Sequence, residues 1–170
     1  MRLFFLLLSV VSITSFAQLS DKWEGKFIGT LIATNLEDKT ADYHMEMHVK
    51  LKADYTYDWT IVYGDDSTKQ ERAYILKPDG QNHFILDEQN GVELHMSHSS
   101  NSLTSVFEVQ GNLLHVTYTL TKKGIQYQLT SSNSKKFSGG EKDESGKDIP
   151  EVGSYKTVAY QSSFLKRSKN

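Results

Sequence analysis

The 170-residue chain contains no cysteine, which removes disulfides, thiolate metal sites and a cysteine nucleophile together. It also lacks any Asn-x-Ser/Thr glycosylation site. Small exported eukaryotic domains usually carry disulfides, so this pair of absences fits a bacterial envelope or secreted protein better. A net charge of −2 denies the chain the concentrated basic face that phosphate-backbone binding requires, which excludes a general nucleic-acid binder. The sequence also lacks a phosphate-cradling glycine loop, a serine-hydrolase elbow and a solenoid repeat.

Long apolar runs are scarce as well. The single one, Leu3 to Ile13 in MRLFFLLLSVVSITSFAQ, follows Arg2 and precedes the small residues Ser15 and Ala17. That is the three-part plan of a secretory signal peptide, residues 1–17, with cleavage after Ala17. The run is about half the ~20 residues of a spanning helix, so no membrane span is expected. With no cysteine to lipidate, the expected product is periplasmic or extracellular and not a lipoprotein. Removal of Arg2 with the leader shifts the net charge to −3.

What remains is alternation. In DYHMEMHVKLK apolar residues occupy 43, 45, 47, 49 and 51, with His, Glu, His, Lys and Lys between them. This period belongs to a strand with one wet face. It also decides the spacing of His44 and His48. Four steps at ~3.3 Å separate the two residues by ~13 Å, which reads as too far for one zinc ion with nitrogens at ~2.1 Å. The next run places Tyr55, Tyr57, Trp59, Ile61 and Tyr63 on one face. GDDSTKQE at 64–71 lacks the alternating oxygen ligands and closing Glu of a calcium loop.

Turn chemistry then divides the chain into hairpins. KPDGQ predicts Tyr74 opposite Phe84 and Arg72 opposite Leu86. EQNGV predicts Leu86 opposite Leu94 and Phe84 opposite Met96. A Gly111-Asn112 turn pairs Val109 with Leu114, Phe107 with Val116, Ser105 with Tyr118 and Leu103 with Leu120. TKKGI sets Leu120 against Tyr127 and Tyr118 against Leu129. Residues 131–150, rich in Ser, Gly and charge, read as a long mobile loop. A last strand spans Tyr155 to Tyr160, and 166–170 form a basic C-terminal tail.

The expectation is an all-β domain over 18–165, an antiparallel up-and-down meander of about eight to ten strands closing into a barrel. A two-sheet sandwich is the alternative. The strands counted are Trp23–Thr34, Tyr43–Lys52, Tyr55–Tyr63, Arg72–Lys77, His83–Asp87, Val92–His98, Leu103–Val109, Leu113–Thr121, Ile125–Thr130 and Tyr155–Tyr160. The opening LSDKWEGKFIGT and the meander resemble the lipocalin-like (calycin) superfamily, with Trp23, Gly25 and Gly29 matching the tryptophan and glycines near the barrel floor. Arg72-Ala73-Tyr74 is similar to the Arg-x-Tyr with which fatty-acid-binding proteins hold a carboxylate. The resemblance implies a barrel that binds a small apolar molecule.

An arginine on an inward face is the most informative residue, because a buried unpaired charge is costly and a carboxylate satisfies its planar fork. The expected site therefore has Arg72 and Tyr74 as polar anchor and Tyr57, Trp59, Phe84, Tyr118 and Tyr127 as walls, with a small hydrophobic or carboxylate ligand. Two bland alternatives stand beside it: Arg72 reaching solvent at the rim, and the aromatic row serving as plain core. No catalytic set, cofactor or metal is expected, since no spacing singles out a group from His83, His95, His98, His115, Asp87, Glu88 and Ser105. An interaction module with a filled barrel and an enzyme at the barrel mouth are the alternative functions.

Overall fold

The computed structural model describes residues 18–169; the expected signal peptide, residues 1–17, lies outside them. After a 3₁₀ turn at Asp21–Trp23 come ten strands: β1 Gly25–Asn35, β2 Thr40–Leu51, β3 Tyr57–Tyr63, β4 Gln70–Pro78, β5 His83–Asp87, β6 Glu93–Ser99, β7 Ser102–Val109, β8 Asn112–Leu120, β9 Gly124–Ser138 and β10 Val152–Arg167. Each pairs antiparallel with its neighbours, and β10 closes on β1, so the sheet is a complete barrel with no sandwich edge. Closure is the physical answer to ten half-apolar strands, because it pairs the backbone groups that an open sheet would leave at its edges.

Alternation determines what is inside. Met45, Met47 and Val49 of β2, Tyr57, Trp59 and Ile61 of β3, and Phe84 and Leu86 of β5 are buried. Tyr55, expected to begin the third strand's inward row, is instead 66% exposed in the turn before β3 with φ +65°. Tyr43 is also exposed, near the start of β2.

Two of the hairpin turns expected from sequence close one residue away from where they were placed, and a third closes two residues away. The KPDGQ loop closes through Asp79 N–H to His83 O, so Pro78 opposes Phe84 and Leu76 opposes Leu86. The turn after β7 is Gln110-Gly111, both at positive φ, which pairs Phe107 with Leu114, Ser105 with Val116 and Leu103 with Tyr118. In the next hairpin Tyr118 opposes Tyr127 and Leu120 opposes Ile125. Each cross-strand partner moves by two or four positions, an even number, so no side chain changes face. The EQNGV hairpin has the expected partners, Leu86 with Leu94 and Phe84 with Met96.

The largest departures are at the C-terminal end. Residues 131–138, expected in a loop, continue β9 and pair with 152–159 of β10. The polar composition of that stretch reads as loop because no barrel face covers it; a ribbon exposed on both faces needs no apolar alternation. Past Ser132 and Ala159, where β8 and β1 stop pairing, the two strands form a ribbon of their own. Phe137, Val152 and Tyr155 are exposed on it, and Lys135 Nζ stands 4.5 Å from the Phe137 ring centroid. Nor is the basic tail free at its start, since Lys166 and Arg167 belong to β10.

Arg167 lies over the Phe27 ring, 4.6 Å to the centroid, and donates to the carbonyls of Lys22 and Glu24. It thereby clamps the N-terminal turn that carries Trp23, which is 1% exposed and packs on Trp59 at 6.1 Å between ring centroids. Trp23, expected inside the first strand, sits before it and plugs the floor. Gly29 is required by close approach, because a Cβ there would meet the Phe164 carbonyl oxygen at 2.4 Å.

Candidate functional site

The barrel has two ends. Strand directions place the loops 36–39, 64–69 and 88–92, the turn 110–111 and the β9–β10 ribbon at one end, here called the mouth. The N-terminal turn and the loops 52–56, 79–82, 100–101 and 121–123 lie at the floor.

The expected walls occupy three levels. At the floor, Tyr57 and Phe84 meet edge to face at 6.4 Å, and the Tyr57 hydroxyl receives the Leu19 backbone N–H at 3.0 Å. Tyr57 therefore ties down the N-terminal segment. In the middle, Trp59 from β3 meets Tyr118 from β8 across the lumen, 5.3 Å apart and nearly perpendicular, and Tyr118 leans on Tyr127 at 5.3 Å. Above them the hydroxyls of Tyr127 and Tyr63 adjoin, from opposite walls. Burial raises the pKa of Tyr63, Tyr118 and Tyr127 above the ordinary phenol value, which keeps all three neutral. The lower and middle barrel is thus filled by its own aromatic side chains.

Arg72 and Tyr74 lie toward the mouth. Arg72, third residue of β4 and opposite Ile61, is exposed; Tyr74, opposite Trp59, is half-buried. The guanidinium adjoins the Tyr74 hydroxyl, which holds its proton more firmly to the arginine, and Tyr63 and Glu88 act on it at longer range. Among the described residues Arg72 forms no ion pair. Tyr63, Tyr74, Leu94, Phe107 and Leu129 pack on the core from above and remain partly open. The structure thus brings Arg72 and Tyr74 together among these partly open apolar side chains at the mouth, here called the cup, and leaves Tyr57 and Phe84 at the far end. Sequence reasoning did not place Tyr63, Leu94 or Leu129 at the cup; their inward parity was the signal.

Among the described residues Ser163 Oγ is buried without a hydrogen-bond partner, while the Trp59 indole adjoins the Tyr118 hydroxyl. Ser163 opposes Tyr127 and Leu31 in register. Its place on an inward face is invisible in the polar sequence of β10.

On the outer wall His44 and His48 flank Glu46 and contact its two oxygens at 3.1 and 2.9 Å, while Lys26 pairs with it at 2.9 Å. The histidines therefore share a carboxylate. Burial works to raise the Glu46 pKa, but the hydrogen bonds from Lys26, His44 and His48 outweigh it and hold the carboxyl at about 2. A depressed carboxylate pKa contributes stability that is present above the unfolded value and lost as pH falls through the folded one. Glu46→Gln is expected to cost about 1–2 kcal/mol at pH 7, after allowance for solvent screening. The difference from wild type should vanish between about pH 4.5 and about pH 2 in urea titrations. Other histidines stand apart from acids: Ser105 donates to the His95 carbonyl at 2.6 Å, His98 packs on Phe84, and Asp87 pairs with Lys77. Among the described residues the only imidazole–carboxylate contacts are those of Glu46.

These features define an antiparallel ten-strand barrel with a filled interior and an arginine at its mouth. A protein of unknown function from the DUF3598 family of Nostoc punctiforme PCC 73102 has a crystal structure similar to this one. The TM-score is 0.62 at 10% identity, over 90% of this chain and 51% of that chain. The chain therefore spans about half the length of that protein, and the likeness is one of fold. No protein-family model and no curated protein matches the sequence. No helix of the described residues is long and apolar enough to cross a membrane.

Proposed function

We propose that this is an exported, lipocalin-like binding protein that holds a small amphipathic molecule at the barrel mouth. The apolar part of the ligand rests on Leu94, Phe107 and Leu129, and its acceptor head, such as a carboxylate, meets Arg72 and Tyr74. The observation that carries this reading is Arg72 itself, on an inward-facing parity beside a tyrosine hydroxyl and without an ion pair among the described residues. A charged fork kept at the edge of an apolar cup is better satisfied by a ligand anion than by its surroundings. Trp59, Tyr118 and Tyr127 support the cup from beneath, and the calycin resemblance of Trp23, Gly25 and Gly29 agrees with a barrel of this use.

Native mass spectrometry of the purified protein tests the proposal. The expected spectrum contains a co-purifying adduct of a few hundred daltons, or acquires one on addition of a medium-chain fatty acid. A spectrum free of adduct in both conditions overturns it. That outcome favours a second reading, an interaction module working through the projecting β9–β10 ribbon, whose exposed Phe137, Val152 and Tyr155 give it an apolar surface.

A further inference from the structure

The opposite end of the barrel holds a cavity of about 610 Å³ that the reading above does not use. Its lining includes Lys22 from the N-terminal turn, Lys122 and Lys123 from the β8–β9 turn and Arg167 from the end of β10, and no carboxylate. Ser20, Ser100, Asn101 and Thr121 add hydroxyl and amide groups, while Trp23, Phe27 and Leu120 line its apolar side. In a chain of net charge −2, four cations around one cavity without an acid is a local inversion of the overall charge.

The cations are positioned by the fold. Thr121 Oγ1 accepts the backbone N–H groups of Lys123 and Gly124, both at 3.2 Å, which closes the turn that presents Lys122 and Lys123. That turn is pressed on β10, since a Cβ at Gly124 would lie 2.0 Å from the Leu165 carbonyl oxygen. Arg167 spends two donors on the Lys22 and Glu24 carbonyls, and a guanidinium has five. Among the described residues Lys22, Lys122 and Lys123 form no ion pair, although six other lysines do. Like charges gathered at one rim repel one another, and an anion between them relieves that repulsion. Asp21, Asp54 and Asp79 also lie at the floor end, but none of them lines the cavity.

We propose that this floor cavity is a binding site for an organic phosphate: a tetrahedral oxyanion gripped by Lys22, Lys122, Lys123 and Arg167, on an apolar or aromatic body lying against Trp23 and Leu120. A tetrahedral head offers several acceptor oxygens to donors that approach from three separate chain segments, which a planar carboxylate matches less well. The cavity volume lies within the ~300–1,000 Å³ range of small-molecule sites. The phosphate belongs either to a free monoester or to a lipid headgroup.

Titration with 1-naphthyl phosphate, followed by tryptophan fluorescence and calorimetry, tests the site. Saturable binding is expected at least about tenfold tighter than that of 1-naphthol or of inorganic phosphate, and weakening with salt. Lys122→Gln with Lys123→Gln, on an exposed turn, is expected to weaken it about tenfold or more, and Lys22→Gln independently by a smaller factor. Arg72→Gln should leave it unchanged, which separates this site from the mouth. Competition by phosphatidylglycerol vesicles but not phosphatidylcholine vesicles assigns the phosphate to a lipid; absence of competition assigns it to a soluble ester. The proposal is overturned if naphthyl phosphate shows no saturation, if the lysine variants bind as wild type does, or if Lys39→Gln with Lys142→Gln at the mouth end weakens binding equally.

Discussion

Arg72→Gln is expected to weaken binding of a fluorescent long-chain carboxylate about tenfold to a hundredfold, with thermal stability close to that of wild type. The range follows from about 1.5–3 kcal/mol for hydrogen bonds to a charged group. Stability should hold because Arg72 is exposed and forms no ion pair among the described residues, so its removal leaves no buried partner unsatisfied. Its one close polar neighbour, the Tyr74 hydroxyl, is half-buried and has water as an alternative. Unchanged affinity in Arg72→Gln would remove the polar anchor from the proposed site. A parallel Arg72→Lys variant is expected to recover part of the affinity, since it keeps the charge without the planar fork.

Trp59→Ala should produce the largest loss of stability of any single change considered, about 3–5 kcal/mol by urea unfolding. Trp59 is fully buried and joins two halves of the core, tilted on Trp23 at the floor and edge-on to Tyr118 across the lumen. Deleting it removes both aromatic contacts and opens a void at the level where opposite walls meet. Trp59→Phe isolates the packing term. The phenylalanine ring keeps most of the buried apolar surface, so that variant should cost less than half as much. A Trp59→Ala protein within about 1 kcal/mol of wild type would mean that the centre of the barrel repacks freely, contrary to a filled lumen.

Much of the barrel was legible in the chain, and the reason is parity. Strict alternation at 45–49 and 57–61 placed the correct side chains inward, and EQNGV specified its hairpin to the residue. The other turns were displaced because several Gly, Asn and Gln positions near each loop tolerate positive φ, and local chemistry does not choose among them. Asn82 and Gln110 took that role in the fold. The C-terminal strands were the least legible. A polar ribbon paired only with itself carries no buried face, so its sequence looks like a loop.

The candidate sites divide in the same way. Arg72 and Tyr74 were singled out from sequence because a charge on an apolar face breaks the pattern. Trp59, Tyr118 and Tyr127 were found as inward aromatics, but whether they wall a cavity or fill it depends on contacts between opposite strands. The cationic floor could not be read at all: Lys22, Lys122, Lys123 and Arg167 come from three distant segments, and Arg167 looked like part of a solvated tail.

The amino-acid order alone decided that the described chain is all strand, which side of each strand is apolar, and that disulfides have no part in it, because these depend on neighbours along the chain. Tertiary structure decided how far each hairpin slides, that the lumen is occupied by its own rings, and that four cations from three distant segments meet at one end. Those outcomes depend on closure, which brings together residues that share no local signal.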